Sequence, residues 1–404
     1  MSERISIAQI FTQGLRGILG AQSQIYKTQN QLSSGKRVLQ PSDDPAAAAQ
    51  ILQLNQAQAD VTQFKKNITG AQNSLGLEDT QLDNVTTLLT RVRELAVQAG
   101  DGALTLSDRK AIATELSQRL DELAGLSNTR SANGEYIFGG FQGQQAPFVQ
   151  SGTSYVYRGD EGQRYVQISS STYVPINDSG QSIFVAVPSS RLPTSANAGN
   201  GGDGTIAMGQ VADQAQFTAN FNGPYTISID TTGPTPTYQV ADGGGATVAT
   251  GNYVSGDPIQ FDGAQVDIVG TPANGDSFTV AAPATQDMFT TLDKLITGLN
   301  SLSDTATDKQ RLNDLISESL DNIDSAENNI STVRAKVGAR LNVLDVTSTL
   351  QDGVDLANQK VLSQVQDLDY ASAISQLNQE NLTLQAAQQS FAKISNLSLF
   401  NFLS

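Results

Sequence analysis

The chain has no cysteine, no histidine and no tryptophan among its 404 residues. Without histidine and cysteine there is no Ser-His-Asp or Cys-His catalytic set, no HExxH motif and no zinc site of the usual kind. Carboxylate chemistry has no visible focus, so no catalytic residue, cofactor or metal ligand is assigned. The missing cysteines exclude disulfides and are silent on compartment. Positive charge is scarce: 24 Lys and Arg against 40 Asp and Glu leave −16, which argues against nucleic acid as a partner. No run of about 18 apolar residues exists to span a membrane. Met1-Ser2-Glu3-Arg4-Ile5 is polar where a cleavable signal peptide needs an apolar core.

Helical periodicity is what the chain has in abundance. From Leu54 the apolar residues step alternately by three and four: Ala57, Val61, Phe64, Ile68, Ala71, Leu75, Leu82, Val85, Leu89, Val92, Ala96, Ala99. Only Glu78 breaks the run. This alternation keeps one seam facing a partner helix over many turns. Asp43-Asp44-Pro45 offers a cap and a first-turn proline, a cheaper reading of the two carboxylates than a metal site. Gly100-Asp101-Gly102 marks the stop. The spacing therefore predicts a helix over 45–99, about 80 Å long at ~1.5 Å per residue. Such a seam needs cover, from this chain or from another copy.

Both ends carry weaker stripes. Ala8, Phe11, Leu15, Ile18, Gln22, Ile25, Gln29 and Leu32 form the first, thinned by Gly14, Gly17 and Gly20. Each glycine costs about 1 kcal/mol of helix relative to alanine. Ile374, Leu377, Leu384, Phe391, Ile394 and Leu397 form the second, set among Gln and Asn. The first arm is basic, with Arg4, Arg16, Lys27, Lys36 and Arg37 against Glu3; the second is slightly acidic. Each is marginal alone, and together they suit an antiparallel pair. The spine seam reads as intramolecular core and the arm stripes as an assembly surface. Few Lys and many Gln and Asn disfavour membrane-surface helices.

Between the ends, Ser107 opens a returning helix carrying Ile112, Leu116, Leu120, Leu123 and Leu126. Asn133-Gly134 and Gly139-Gly140 bracket an expected strand over 135–138. Segments 154–158 and 164–168 read as a hairpin joined by Gly159-Asp160-Glu161-Gly162, with a further strand over 183–187. From Pro188 to Pro283 the composition changes: Lys and Glu vanish, and eight aspartates face Arg191 alone. Short alternating runs separated by turns predict a small antiparallel sandwich or barrel there. The stretch 200–223 is too polar and glycine-rich to place, and Gly201-Gly202-Asp203-Gly204 is one unrepeated match to calcium-binding repeats.

Helical spacing returns at Gln286. Phe289, Leu292, Leu295, Ile296 and Leu299 make one helix. Leu312, Ile316, Ile323, Ala326, Ile330, Val333, Val337, Leu341, Leu344, Val354, Val361 and Val365 make a longer one, its seam interrupted by Ser319, Arg340, Thr347, Gln351 and Asn358. Polar seam residues cost stability and specify register. The expected fold is mainly α with an inserted β domain: a long antiparallel helical bundle or coiled coil built from both chain ends, plus a small antiparallel β-sandwich or barrel. The expected parts are an assembly arm over 1–40, a helical bundle over 41–187 and 284–365, the insertion over 188–283, and a second arm over 366–404.

Particular motifs sharpen this. Leu32-Ser33-Ser34-Gly35-Lys36-Arg37-Val38 with Pro41-Ser42-Asp43-Asp44-Pro45-Ala46-Ala47, and Arg91-Val92-Arg93-Glu94-Leu95-Ala96-Val97-Gln98-Ala99, resemble the shared blocks of the flagellin superfamily. Arg130-Ser131-Ala132-Asn133-Gly134-Glu135-Tyr136-Ile137-Phe138-Gly139-Gly140 and the ending Gln385 to Phe400 are similar to the branch that joins hook to filament. Filament flagellin is the alternative. The resemblance covers 1 to about 140 and about 285 to 404. It implies a non-enzymatic structural protein of the bacterial flagellum, exported without a cleaved signal peptide to an extracellular position. It further implies arms that are disordered in the monomer and pair as a coiled coil on assembly into a helical ring. The implied partners are further copies of itself, the first hook-associated protein, flagellin and a cytosolic export chaperone. The implied assembly interface comprises Phe11, Leu15, Ile18, Ile25, Leu32, Ile374, Leu377, Leu384, Phe391, Ile394 and Leu397.

Overall fold

Among the described residues seven α-helices carry most of the chain: α1 (Ile7–Ser34), α2 (Pro45–Ala99), α3 (Leu106–Ser127), α4 (Gln214–Asn220), α5 (Met288–Ser301), α6 (Ala306–Gln366) and α7 (Tyr370–Phe400). The computed structural model describes residues 7–189 and 191–400. Two compact units are present, Thr69–Asp345 and Met1–Ile68 with Val346–Ser404.

The helix ends follow local chemistry. Asp44 Oδ1 accepts the Ala47 amide at 3.0 Å, capping α2. Lys27 and the amides of Gln40 and Leu39 hold the neighbouring Asp43 carboxyl below its ordinary range, Lys27 contributing most. The returning helix α3 begins one residue before Ser107, because Thr105 and Asp108 close a capping box around its first turn. Asp287 caps α5 by accepting the Phe289 amide at 2.8 Å.

In the unit over 69–345 the predicted seam of α2 is buried from Ala71 to Ala99. Against it lie the apolar faces of α3 (Ile112, Leu116, Leu120, Leu123), α5 (Phe289, Leu292, Leu295, Leu299) and α6 (Ile316, Ile323, Ile330, Val337, Leu344), all buried. Each such side chain contributes about 1.5–3 kcal/mol when fully buried. Phe148 stacks on Phe289 with ring centroids 4.8 Å apart and meets Phe184 edge-on at 5.5 Å; Phe184 meets Phe138 edge-on at 5.2 Å.

The segment 128–187 departs from expectation in three places. Residues 135–138 form no strand: Tyr136 makes a lone bridge to Arg130, while Ile137 and Phe138, both buried, lie in a turn. The expected hairpin over 154–168 is absent. β1 (Phe148–Ser151) pairs instead with β2 (Ser154–Tyr157), and β3 (Tyr165–Gln167) with β4 (Tyr173–Pro175). Asp160 Oδ1 accepts the amides of Phe141 and Gly162, anchoring the intervening loop to 139–141 rather than to a strand partner. The strand expected over 183–187 is a π-helical turn, Gln181–Val185, which sends both Ile183 and Phe184 into the core.

The insertion is a two-layer sandwich with its own core. β5 (Val187–Pro188) leads in, and β6 (Arg191–Leu192), β7 (Thr194–Ala196), β8 (Thr205–Ile206), β9 (Gly209–Val211) and α4 precede β10 (Tyr225–Asp230). Then come β11 (Thr237–Ala241), β12 (Thr247–Asn252), β13 (Pro258–Phe261), β14 (Ala264–Val269), β15 (Ser277–Val280) and β16 (Thr285–Gln286). One sheet runs β12-β11-β10-β15-β7, the other β13-β14-β9-β6 with β8 on β14. Strands β10 to β15 sit on the alternating runs of 225–280, whereas β6 and β7 were not anticipated; β10 buries Tyr225, Ile227 and Ile229 while exposing the residues between. These pack with Val240, Phe278, Val280, Ile259, Phe261, Val266 and Ile268 in a closed cluster drawn wholly from the insertion. The unplaced stretch 200–223 supplies β8, β9 and α4.

In the unit formed by the two ends, α2 buries Val61 and Ile68 and binds α6 through polar groups: Lys65 pairs with Asp352 at 2.6 Å. Here the expected seam of α6 is turned. Val354 is 46% exposed and Val361 37%, although Gln351, a polar residue of the same expected seam, is buried. Polar contacts toward α2, including Gln58 to Asp355, set the helix's roll in place of the valines.

Pro188 pairs directly with Thr285, so the chain enters and leaves the insertion as one two-stranded ribbon. Excising 189–284 and closing the ribbon with a short Asn-Gly turn should leave the helical core folded, with a cooperative helical melt by circular dichroism. Loss of that melt would show that the helices depend on the sandwich.

Candidate assembly surface

The two arms form one antiparallel helix pair. At its closed end Arg37 N donates to Gln366 O at 2.7 Å and Leu368 N to Gly35 O at 3.0 Å, around a bridge between Lys36 and Asp367. Gly35 has φ +70, and a side chain there would meet the Tyr370 hydroxyl, so only glycine admits this close crossing. Arg37 also donates to Asp44 at 3.2 Å, and Lys27 pairs with Asp43 at 3.0 Å, tying α1 to the cap of α2.

Midway along, Thr28 is 1% exposed and its hydroxyl donates to the Glu380 carboxylate at 2.9 Å. Gln376 donates to the same carboxylate at 2.9 Å. Near the open end Phe11 and Phe391 touch with ring centroids 4.7 Å apart. A Cβ on Gly14 would lie 2.8 Å from the Phe391 ring, so this glycine is the notch that receives it.

The predicted interface residues divide by burial. Ile25 is buried; Ile18, Leu32, Leu377, Leu384 and Phe391 are half-buried; Phe11, Leu15 and Ile374 stay exposed, Phe11 at 50%. Ile394 and Leu397 lie in the last turns of α7, where side chains fall outside the described residues. Leu19, Tyr26, Tyr370 and Leu382 add to the exposed apolar area of the pair. Thr28, Glu380 and the buried Ala373 were not anticipated, although Thr28 follows Ile25 by three and so shares its face. The pair thus closes a narrow seam and leaves a wide apolar margin open. No described helix is long and apolar enough to cross a membrane.

Residues 5–143 match the bacterial flagellin N-terminal helical region, and 320–403 the bacterial flagellin C-terminal helical region. Flagellar hook-associated protein 3 of Salmonella typhimurium is 28% identical, with 98% of each chain covered. The crystal structure of Xanthomonas campestris FlgL is 33% identical, covering 77% of this chain and 99% of that one with a TM-score of 0.55. This chain belongs to the FlgL family of the flagellin superfamily. The flagellar junction protein FlgL of Legionella pneumophila, 29% identical over 78% of this chain and all of that one, has a TM-score of 0.54. Both family regions fall on the helices built from the chain ends, and neither reaches the sandwich. In this FlgL-family chain the arm pair is held by Gly35, Thr28–Glu380 and the Gly14 notch.

Thr28→Val keeps the side-chain shape and strips Glu380 of a donor in a buried setting. A hydrogen bond to a charged group contributes about 1.5–3 kcal/mol. The expected result is faster tryptic cleavage at Arg16 and Lys27, with the 69–345 unit uncut. An unchanged cleavage rate would mean that this bond does not hold the arms together.

Proposed function

We propose that the chain is a structural subunit of the bacterial flagellum that joins hook to filament and polymerises through its paired terminal helices. The observation that carries this reading is the half-covered arm pair: a register held by specific contacts, beside an apolar margin left open on both helices. Likeness to hook-associated protein 3 along 98% of the chain favours a junction over filament flagellin. On this reading the neighbours are further copies in a helical ring, the first hook-associated protein on one side and flagellin on the other. An export chaperone covers the apolar C-terminal arm in the cytosol, and the protein reaches its extracellular place through the flagellar export apparatus. Structural assembly, not catalysis, is the role. Deleting the gene should leave hooks without filaments and release flagellin monomers into the medium.

Phe391→Asp tests the arm itself. It places a charge against Phe11 in a seam that must be dry, and an unpaired charge in such a place costs several kcal/mol. The variant should be soluble and its 69–345 unit should melt as in the wild type, yet cells carrying only this form should not swim and chaperone binding should weaken. Normal motility would move the assembly surface elsewhere.

A further inference from the structure

Glu78 is the one acid in the α2 seam, it is 2% exposed, and no cation is left for it. Its Oε1 accepts the backbone amide of Asp178 at 3.1 Å, and its Oε2 has no hydrogen-bond partner. Asp178 is itself buried and takes both terminal nitrogens of Arg340, at 2.7 and 3.0 Å, plus the Gln163 amide at 2.6 Å. The charged groups facing Glu78 are therefore Asp178, from the segment after β4, and Arg340, from α6. On its own helix the adjacent Asp79 is turned to Arg334 at 2.9 Å. Two carboxyl groups share one guanidinium, and that guanidinium is spent on Asp178. A second anion here would be buried without compensation.

We propose that Glu78 works as a protonated latch, a neutral carboxyl that fixes the register of α2 against α6 and holds the 176–180 segment to both, so that a charge placed on it loosens this unit. Three elements meet at one point: α2 through Glu78, α6 through Arg340, and the segment between β4 and the π turn through Asp178. A one-residue slip of either helix would separate the carboxyl from the Asp178 amide and leave both unpaired. An apolar side chain in the same place would fill the seam equally well in several registers. Burial, and next the negative charge of Asp178, push the Glu78 carboxyl well above its ordinary range; attraction to Arg340 and the Asp178 amide oppose this.

The sign of the pH effect follows. The folded chain holds this proton at pH values where the unfolded chain has released it, so folding takes up a proton. Stability is unaffected below the ordinary glutamate range, falls as pH rises above it, and levels off once the folded group has ionised.

The test compares the wild-type full chain with Glu78→Gln, which keeps the shape and neutrality. Urea unfolding between pH 6 and 9 should show the wild-type folding constant falling relative to Glu78→Gln by up to about tenfold per pH unit. Infrared spectra taken above the ordinary glutamate range should show a protonated carboxyl stretch in the wild type that Glu78→Gln lacks. Parallel pH profiles would overturn the proposal. If Glu78→Gln does not fold, the wild-type carboxyl band decides: its persistence above the ordinary glutamate range and its loss on further raising the pH, together with loosened hydrogen exchange at 176–180, supports the latch, and its absence above that range refutes it.

Discussion

A helix of 55 residues whose apolar seam is broken only at Glu78 cannot stand in water, and the rest of the chain is arranged around covering α2. Propensity alone would not hold it, since long helices in proteins depend on packing of one face. Within 69–345 the cover is aliphatic and aromatic, from α3, α5, α6 and the Phe138–Phe148–Phe184 cluster. In the unit of the chain ends, Lys65 with Asp352 and Gln58 with Asp355 replace much of the apolar contact. Exposed ion pairs of this kind contribute about 0–1 kcal/mol, against 1.5–3 for a buried leucine. Local stability therefore differs along the chain, and the end unit is the part able to open and rearrange.

The arm pair extends the same logic. α1 is weakened by Gly14, Gly17 and Gly20, yet only Gly14 has a neighbour that needs the space. No atom lies within 4 Å of where a Cβ would be on Gly17 or Gly20. Alanine at those two positions would strengthen the helix without touching the pair, so helix stability is not what these positions maximise. A helix that stays easy to unfold suits the proposed role, in which the chain is exported and its ends pair afterwards.

Most of the architecture was legible in the sequence, because a 3-4 alternation kept up over tens of residues has few readings. α2 runs over the predicted residues, and strands β10 to β15 of the sandwich sit where period-two alternation placed them. What failed was short or relational. The strands of 148–175 are three or four residues long, too short for alternation to choose a partner, and Asp160 settled the pairing through two amides. Ile183-Phe184-Val185 reads as a strand until a π turn sends consecutive residues inward. Val354 and Val361 carry a plausible heptad, but the polar contacts of Asp352 and Asp355 roll α6 away from it. In the candidate surface the stripes themselves were legible. The contacts that fix their register, Thr28 to Glu380 and Phe391 into Gly14, join residues hundreds of positions apart and leave no local signal.

The insertion shows why a chain with so strict a spine tolerates foreign composition in its middle. Its acidic, lysine-free sequence could not extend the heptads, and it does not need to. Pro188 and Thr285 face each other across a ribbon, so the helical core meets the sandwich as a two-stranded stalk, whatever lies beyond. Arg191 also donates to Asp321 on α6 at 2.6 Å and to Ser317 at 3.0 Å, and Met208 to Val211 face the same stretch of α6 across a shared cavity. Arg191 is the only cation between Pro188 and Pro283, and it is used at the base, beside the stalk. Beyond this base the sandwich packs on its own core. On the proposed role its sequence is free to follow what it meets outside, while the helices proposed to carry assembly stay constrained by their seam.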